Sequence, residues 1–283
     1  MPFLSRIGSS SAKAVGFSSS LDVFDVVVSS NSTQLDLRTH ALANGWDGTK
    51  RVLLTINSGI YLYSTSTSTP ALTISGSFPQ GVFIVNNGII VGKGGNGGRA
   101  GDSAYYIVDD PQDSSPGLPG GDALSISTAV NITNNGTIAG GGGGGGGGMS
   151  INTVTSEYNA WLGGAGGGGG GGGRGGLSNS SGAVGGRSYA SSTGYIPTIN
   201  GSSGGDGTYL SAGAGGTRGN AGTNLYAGNG GSGGNWGAAG SAGATVSGTN
   251  VGSAGAGGAA GKYATGNSYI TWLVSGTRLG GVA

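Results

Sequence analysis

The apolar positions of this chain fall into short runs and short alternations rather than into a stripe with a period near 3.6. Val23–Val28 is a β-branched run and Leu35-Asp36-Leu37 alternates, and both patterns predict strands. Arg51–Ile56 and Gly59–Tyr63 predict two strands joined at Asn57-Ser58-Gly59, a turn signal. A Ser/Thr ladder, Ser64–Thr69, leads through Pro70 to a further strand at Ala71–Ile74. Val82–Val85 and Ile89–Val91 flank a second turn signal, Asn86-Asn87-Gly88. Ser9–Val15 is too short to count as a helix and no other segment is convincingly amphipathic, so essentially no α-helix is expected.

The second of these units repeats. Val82–Gly92 (VFIVNNGIIVG) recurs 48 residues later as Val130–Gly140 (VNITNNGTIAG), and a looser copy closes the chain at Ile270–Gly280 (ITWLVSGTRLG). Repetition implies stacked copies of a unit that cannot bury its apolar face alone. The first two copies run directly into glycine tracts.

Glycine then changes the picture. Gly140–Gly148 is an unbroken run and Gly166–Gly173 a second one, and only eight of the 70 glycines precede residue 92. Glycine loses the most backbone entropy on ordering and brings no side chain to bury, so neither a helix nor an ordinary sheet suits such runs. Two readings are left. The runs are flexible linkers, or they are extended threefold helices of the polyglycine-II kind packed side by side. In the second, every outward-pointing N–H and C=O finds a partner on a neighbouring run. A linker has no need of a repeated apolar lead-in, which favours packing.

Composition agrees with a compact body. Seven prolines and clustered glycines do not make collagen's strict period. A net charge of +1, with 8% charged residues, eleven Tyr and four Trp, does not suit a solvated disordered chain. The same balance argues against nucleic acid as a partner. The absence of cysteine excludes disulfides and thiolate chemistry. Met1–Ser20 shows no signal-peptide pattern, and no stretch is apolar enough to insert in a membrane.

Candidate chemistry is sparse. Gly92–Gly97 fits G-x-G-x-x-G, but in glycine-rich sequence such matches arise by chance and no helix follows. Gly88–Lys93 falls one residue short of a P-loop. His40 alone cannot build a histidine metal site and reads as a surface or packing residue. Asp109-Asp110-Pro111-Gln112-Asp113 offers oxygens to calcium, yet reads first as a solvated loop, so no metal and no cofactor is expected. Aromatic residues stand in islands between the tracts: Tyr105, Tyr106, Tyr158, Trp161, Tyr189, Tyr195, Tyr209, Tyr226 and Trp236. Rings in Gly/Ser/Asn surroundings have the composition of binding loops, although any one of them also serves to cap a glycine core. Arg174 and Arg187 border the same loops.

Leu35–Gly48, Thr69–Ser77, Val85–Gly98 and Trp272–Gly280 together resemble glycine-rich phage tail proteins, and the glycine part resembles the tip adhesins of long tail fibres in some T-even-type phages. The resemblance implies a sandwich of polyglycine-II helices whose connecting loops contact an outer-membrane protein or surface glycan of the host, with the N-terminal part docked on other fibre proteins. The expectation is therefore an all-β protein with packed polyglycine-II helices. Residues 1–80 would form a β-rich attachment domain, and residues 81–283 a receptor-binding domain that displays the nine aromatics. The protein would be made in the host cytoplasm, carried on the virion and act without catalysis. The rivals are a purely structural fibre cap, an ice-binding glycine-helix protein, which would show a strict tripeptide period and a flat face, and a glycan hydrolase, which would need a close carboxylate pair.

Overall fold

The computed structural model describes residues 22–101, 113–154, 159–162, 179–185, 200–219, 227–247 and 252–283. The strands are β1 (Val23–Val28), β2 (Ser32–Thr33), β3 (Leu35–Asp36), β4 (Arg51–Ile56), β5 (Tyr61–Tyr63), β6 (Leu72–Ile74), β7 (Val82–Asn86), β8 (Ile89–Val91), β9 (Leu124–Ile126), β10 (Val130–Asn134), β11 (Thr137–Ala139), β12 (Ile151–Val154), β13 (Asn159–Leu162), β14 (Lys262–Thr265), β15 (Ile270–Val274), β16 (Thr277–Leu279) and β17 (Gly281–Val282). All but β12 and β13 belong to three five-stranded sheets, ordered β1-β4-β7-β10-β15, β2-β5-β8-β11-β16 and β3-β6-β9-β14-β17. Every pairing within them is parallel.

Successive strands therefore go to successive sheets, and each strand pairs with its counterpart one circuit away. The result is a three-sided solenoid of five rungs. Asn57-Ser58-Gly59 and Asn86-Asn87-Gly88 are turns, and each is a corner between two sides of the solenoid. The repeat spacing is the rung spacing: Val82, Ile84 and Asn86 lie in register with Val130, Ile132 and Asn134, and Ile270 and Trp272 continue the first two stacks. Alternation places Val52, Leu54 and Ile56 inside from one side, Leu62, Ile90 and Ile138 from the second, and Leu72, Ile74 and Leu124 from the third, all completely buried. At about 1.5–3 kcal/mol per fully buried aliphatic side chain, these stacks are the main force holding the rungs together.

One helix corrects the sequence reading. Residues Leu37–Ala43 form α1, where the alternation of Leu35-Asp36-Leu37 predicts continued strand. Asp36 caps it, its side-chain oxygen accepting the Thr39 N–H at 2.8 Å. Leu37 and Ala41, four residues apart, bury one face. His40 is exposed on the other face, as a surface residue should be.

The glycine-rich sequence is inserted at a single corner. The second side connects to the third through Gln34 in the first rung and Gly280 in the last, both with positive φ. At the same corner of the third and fourth rungs the chain leaves for residues 92–123 and 140–261 and then returns. The boundary expected at residue 80 has no counterpart in the sheets, since β4 pairs with β7 and β6 with β9 across it. What separates structurally is the solenoid from the array that projects from its corner.

Within the array, Gly140–Gly148 is buried throughout and hydrogen-bonded on all sides. Gly141, Gly144 and Gly147 donate to Gly121, Leu118 and Ser115, while Gly142, Gly145 and Gly148 accept from Gly95, Gly98 and Gly101. Gly140, Gly143 and Gly146 accept from Gly237, Gly234 and Gly231, and the carbonyls of Gly141, Gly144 and Gly147 take the N–H groups of Gly261, Gly258 and Gly255. The pattern has a period of three, which is what a threefold extended helix presents to its neighbours. A Cβ at Gly144 would overlap the Asn96 carbonyl oxygen. This run is packed and is not a linker. Gly166–Gly173 lies outside the described residues.

Glycine content tracks the number of neighbours. The enclosed run is all glycine. Runs with an open side keep glycine at every third position, where they face a neighbour, from Gly228 to Gly243 and from Gly252 to Gly261, while Ala, Ser, Asn and Trp236 share the positions between with Gly230, Gly233 and Gly257. Glycine at every third position of the outer runs follows from burial of one side in three.

Candidate functional site

The runs alternate in direction, so the links between them fall at two ends. At the near end are the solenoid and two tight turns. Thr208 donates its N–H to Ser211 O at 2.9 Å in one, and Ala238 to Asn235 O at 2.9 Å in the other. At the far end several run termini meet in one layer. Gly101 N–H and Ser114 Oγ both donate to Gly148 O, Met149 to Ala244 O, Gly228 to Met149 O and Gly252 to Ser150 O. From this layer the chain departs into segments 102–112, 151–178, 220–226 and 248–251. Segment 186–199 joins two runs on the same side, because 180–185 and 200–207 are antiparallel, with Gly204 N–H on Ala183 O and Gly207 N–H on Ser180 O.

This geometry divides the nine aromatic candidates. Tyr105, Tyr106, Tyr158, Tyr189, Tyr195 and Tyr226 lie outside the described residues. Trp161 is on β13, opposite Asn152 of β12, in an antiparallel pair that follows directly from Ser150. Tyr209 and Trp236 are elsewhere. Both stand half-buried in the near-end turns, with the Tyr209 ring meeting Tyr61 of β5 edge-on at 6.1 Å. Gly237, next to Trp236, donates to Gly140 O at the point where the central run leaves the solenoid.

The polar groups beneath the far layer have structural partners. Asp113 accepts from Ser253 N and Ser253 Oγ, each at 2.8 Å, tying two parallel runs together. These bonds, the backbone one first, hold its carboxyl below the ordinary value of 3.8. Asp109 and Asp110 lie outside the described residues, and among the described residues no three metal-binding side chains cluster. Lys93, from the G-x-G-x-x-G match, spans two runs by donating from Nζ to Asn179 O, and burial pushes its ammonium pKa down. No helix follows the motif among the described residues. No helix among the described residues is long and apolar enough to cross a membrane.

Two features escaped the sequence reading. A groove of about 680 Å³ lies along the array between runs 92–101, 113–121 and 180–185, with Pro116, Leu118 and Val184 in its walls. The last rung is the other. Among the described residues, β15, β16 and β17 each have a neighbouring strand on one side only. There the Arg278 guanidinium lies over the Trp272 ring at 4.7 Å and the Tyr263 ring at 5.4 Å. The available signal was the register of the loose third repeat, which sets Trp272 and Arg278 where the earlier copies carry Ile132 and Ile138.

Comparison with known proteins accounts for this architecture. The family model for the phage tail fibre adhesin Gp38 matches residues 23–283, and the chain belongs to that family. The crystal structure of the gp37–gp38 adhesin tip complex of the bacteriophage S16 long tail fibre contains a similar fold. Its TM-score is 0.50 at 24% identity, over 93% of this chain and 82% of that one. No curated protein sequence matches the chain.

Proposed function

We propose that this Gp38-family tail fibre adhesin carries its receptor-binding surface at the far end of the glycine array. The segments concerned hold Tyr105, Tyr106, Tyr158, Trp161, Tyr189, Tyr195 and Tyr226, and the bound molecule is an outer-membrane protein or surface glycan of the bacterial host. The observation that carries this reading is the common layer at which the runs around Gly148 end, because it gathers segments far apart in sequence onto one rigid base. Large rings on such a base offer contact area at little cost in lost freedom. Tyr209 and Trp236, at the opposite end, are given a packing role.

The solenoid is the mount. The neighbour's structure is of a gp37–gp38 complex, which supports docking of this chain on another fibre protein. Of residues 1–80, expected to dock, the strands from Val23 onward share their sheets with strands as late as β17, so we assign docking to the whole solenoid. The polyglycine-II reading of the array rests on its threefold bonding. The protein is made in the host cytoplasm, acts from the virion, and acts by binding rather than by catalysis.

The test is adsorption of the purified full chain to intact host envelopes, to envelopes stripped of surface glycan and to envelopes stripped of outer-membrane protein. Saturable binding that is lost with one of the two and blocks phage adsorption is the expected result. A folded chain that binds none of them leaves the fibre cap as its role.

A further inference from the structure

The two ends of the solenoid are not equivalent. At the first rung the inward side chains Val26, Val28 and Leu35 are buried. At the last rung Ile270 and Trp272 stay only half-buried, while Tyr269, Leu273, Val274 and Val282 are 48%, 55%, 45% and 47% exposed. Three sheet edges stop together there, each with no further strand on its outer side among the described residues. An apolar patch framed by open strand edges marks an interaction surface.

Its charge is equally one-sided. Residues 262–283 contain Lys262 and Arg278 and no acidic residue. Arg278 occupies an inward position, in register with Ile138, where the four lower rungs supply no charged group to meet it. Among the described residues only Tyr263 Oη accepts a bond from it, at 3.4 Å. A guanidinium has five N–H donors in a fixed fork, and stacking on Trp272 and Tyr263 fixes its plane while leaving most of those donors unmet. Trp272 is held in turn by its Nε1–H on Asn267 Oδ1 at 3.1 Å. The ensemble is a pre-oriented cation set in an apolar face.

We propose that the end face formed by β15, β16 and β17 is the docking surface for a tail fibre protein that presents an apolar face with a carboxylate at its centre, received by Arg278. This rests on the reading that the chain is mounted on a fibre. The carboxylate completes the fork, the partner covers Leu273 and Val274, and the open strand edges supply backbone pairing.

The experiment counts copies of the full chain in gradient-purified phage particles grown on hosts that supply wild-type or variant protein. Arg278→Glu is expected to lower incorporation at least about tenfold, and Arg278→Lys, which keeps charge but loses the fork, by less. Leu273→Asp, an exposed outward position, lowers it similarly, and it decides the matter if Arg278→Glu melts at a lower temperature. Val27→Asp on the first rung, 57% exposed, leaves incorporation unchanged. Full incorporation of both Arg278→Glu and Leu273→Asp, or loss with Val27→Asp alone, overturns the proposal. So does a wild-type dimer in sedimentation that Arg278→Glu abolishes, since that gives the face to a second copy. If wild-type chain is missing from the particles, the mounting itself fails, and this is distinguishable because no variant is needed to see it.

Discussion

Asn86 donates from its side-chain amide to the side-chain oxygen of Asn134, one rung away, at 2.7 Å, and both residues are completely buried. Asn134 passes the pattern on, its amide donating to Ser275 O at 2.8 Å and Thr277 O at 3.2 Å, while Asn86 Oδ1 accepts from Gly88 N–H. Three rungs are linked at one corner, at a depth where Ile56 occupies the same position in the rung below. Asn134→Ala leaves the Asn86 amide with Thr137 O alone and strands two carbonyls, so a loss of about 1–3 kcal/mol in urea unfolding is expected. In a double-mutant cycle with Asn86→Ala the two losses should fall short of additive. Strict additivity would mean that the ladder contributes nothing as a pair.

Gly144→Leu should dismantle the array. Its Cβ would overlap the Asn96 carbonyl, and separating the runs breaks bonds that Gly144 makes to Leu118 and Gly258. Each orphaned group costs roughly 1–3 kcal/mol. Ala239→Leu, on the exposed side of an outer run, should be silent. Circular dichroism melts of the two variants check the contrast, and equal melting temperatures would refute close packing at Gly144.

The Asp113–Ser253 tie predicts a pH response confined to acid. Its folded pKa is depressed, so the stability it adds is complete at neutral pH and is lost as the pH falls through the folded value, below 3.8. Exchange of the Ser253 amide, followed by NMR, should accelerate in that range in the wild type. Asp113→Asn should make it fast at neutral pH and flat across the titration.

Alanine scanning should split the aromatic set by location. One or two of Tyr105, Tyr106, Tyr158, Trp161, Tyr189, Tyr195 and Tyr226 should cost at least ~2 kcal/mol in receptor binding. Tyr209→Ala should instead cost about 0.5–1.5 kcal/mol of stability, through the lost contact with Tyr61, and leave binding alone. Loss of receptor binding with Tyr209→Ala or Trp236→Ala, at unchanged stability, would relocate the site to the near end.

Most strands were legible because inward and outward positions alternate strictly, as in Val52, Leu54 and Ile56. The stacking was legible because Val82–Gly92 and Val130–Gly140 occupy the same corner. The parallel topology was not, since Asn57-Ser58-Gly59 signals a change of direction without saying whether the next strand returns beside the first or turns onto another side. The partner of Val52 is Val82, too distant in sequence for any local turn rule to reach. α1 was missed because Asp36 ends an alternation and caps a helix at once, although the spacing of Leu37 and Ala41 and the stop at Asn44-Gly45 were there to read. The aromatics were visible, but which end each would occupy depends on the direction of its run, and direction is fixed only by hydrogen bonds between tracts.

The single corner from which the array grows has a mechanical consequence. The solenoid holds the array through Val91, Ala123, Ala139 and Lys262, on two adjacent rungs, while the far layer lies at the other end of the same runs. If the far layer holds the receptor, as proposed, a bacterium that drifts while tethered pulls along those runs. The hydrogen bonds between them lie across the pull, so they are loaded together in shear and cannot be opened one after another. Tension entering at any one loop spreads sideways through Gly140–Gly148 to its neighbours and reaches the solenoid by four strands at once, which suits a tether that must hold on first contact in moving fluid.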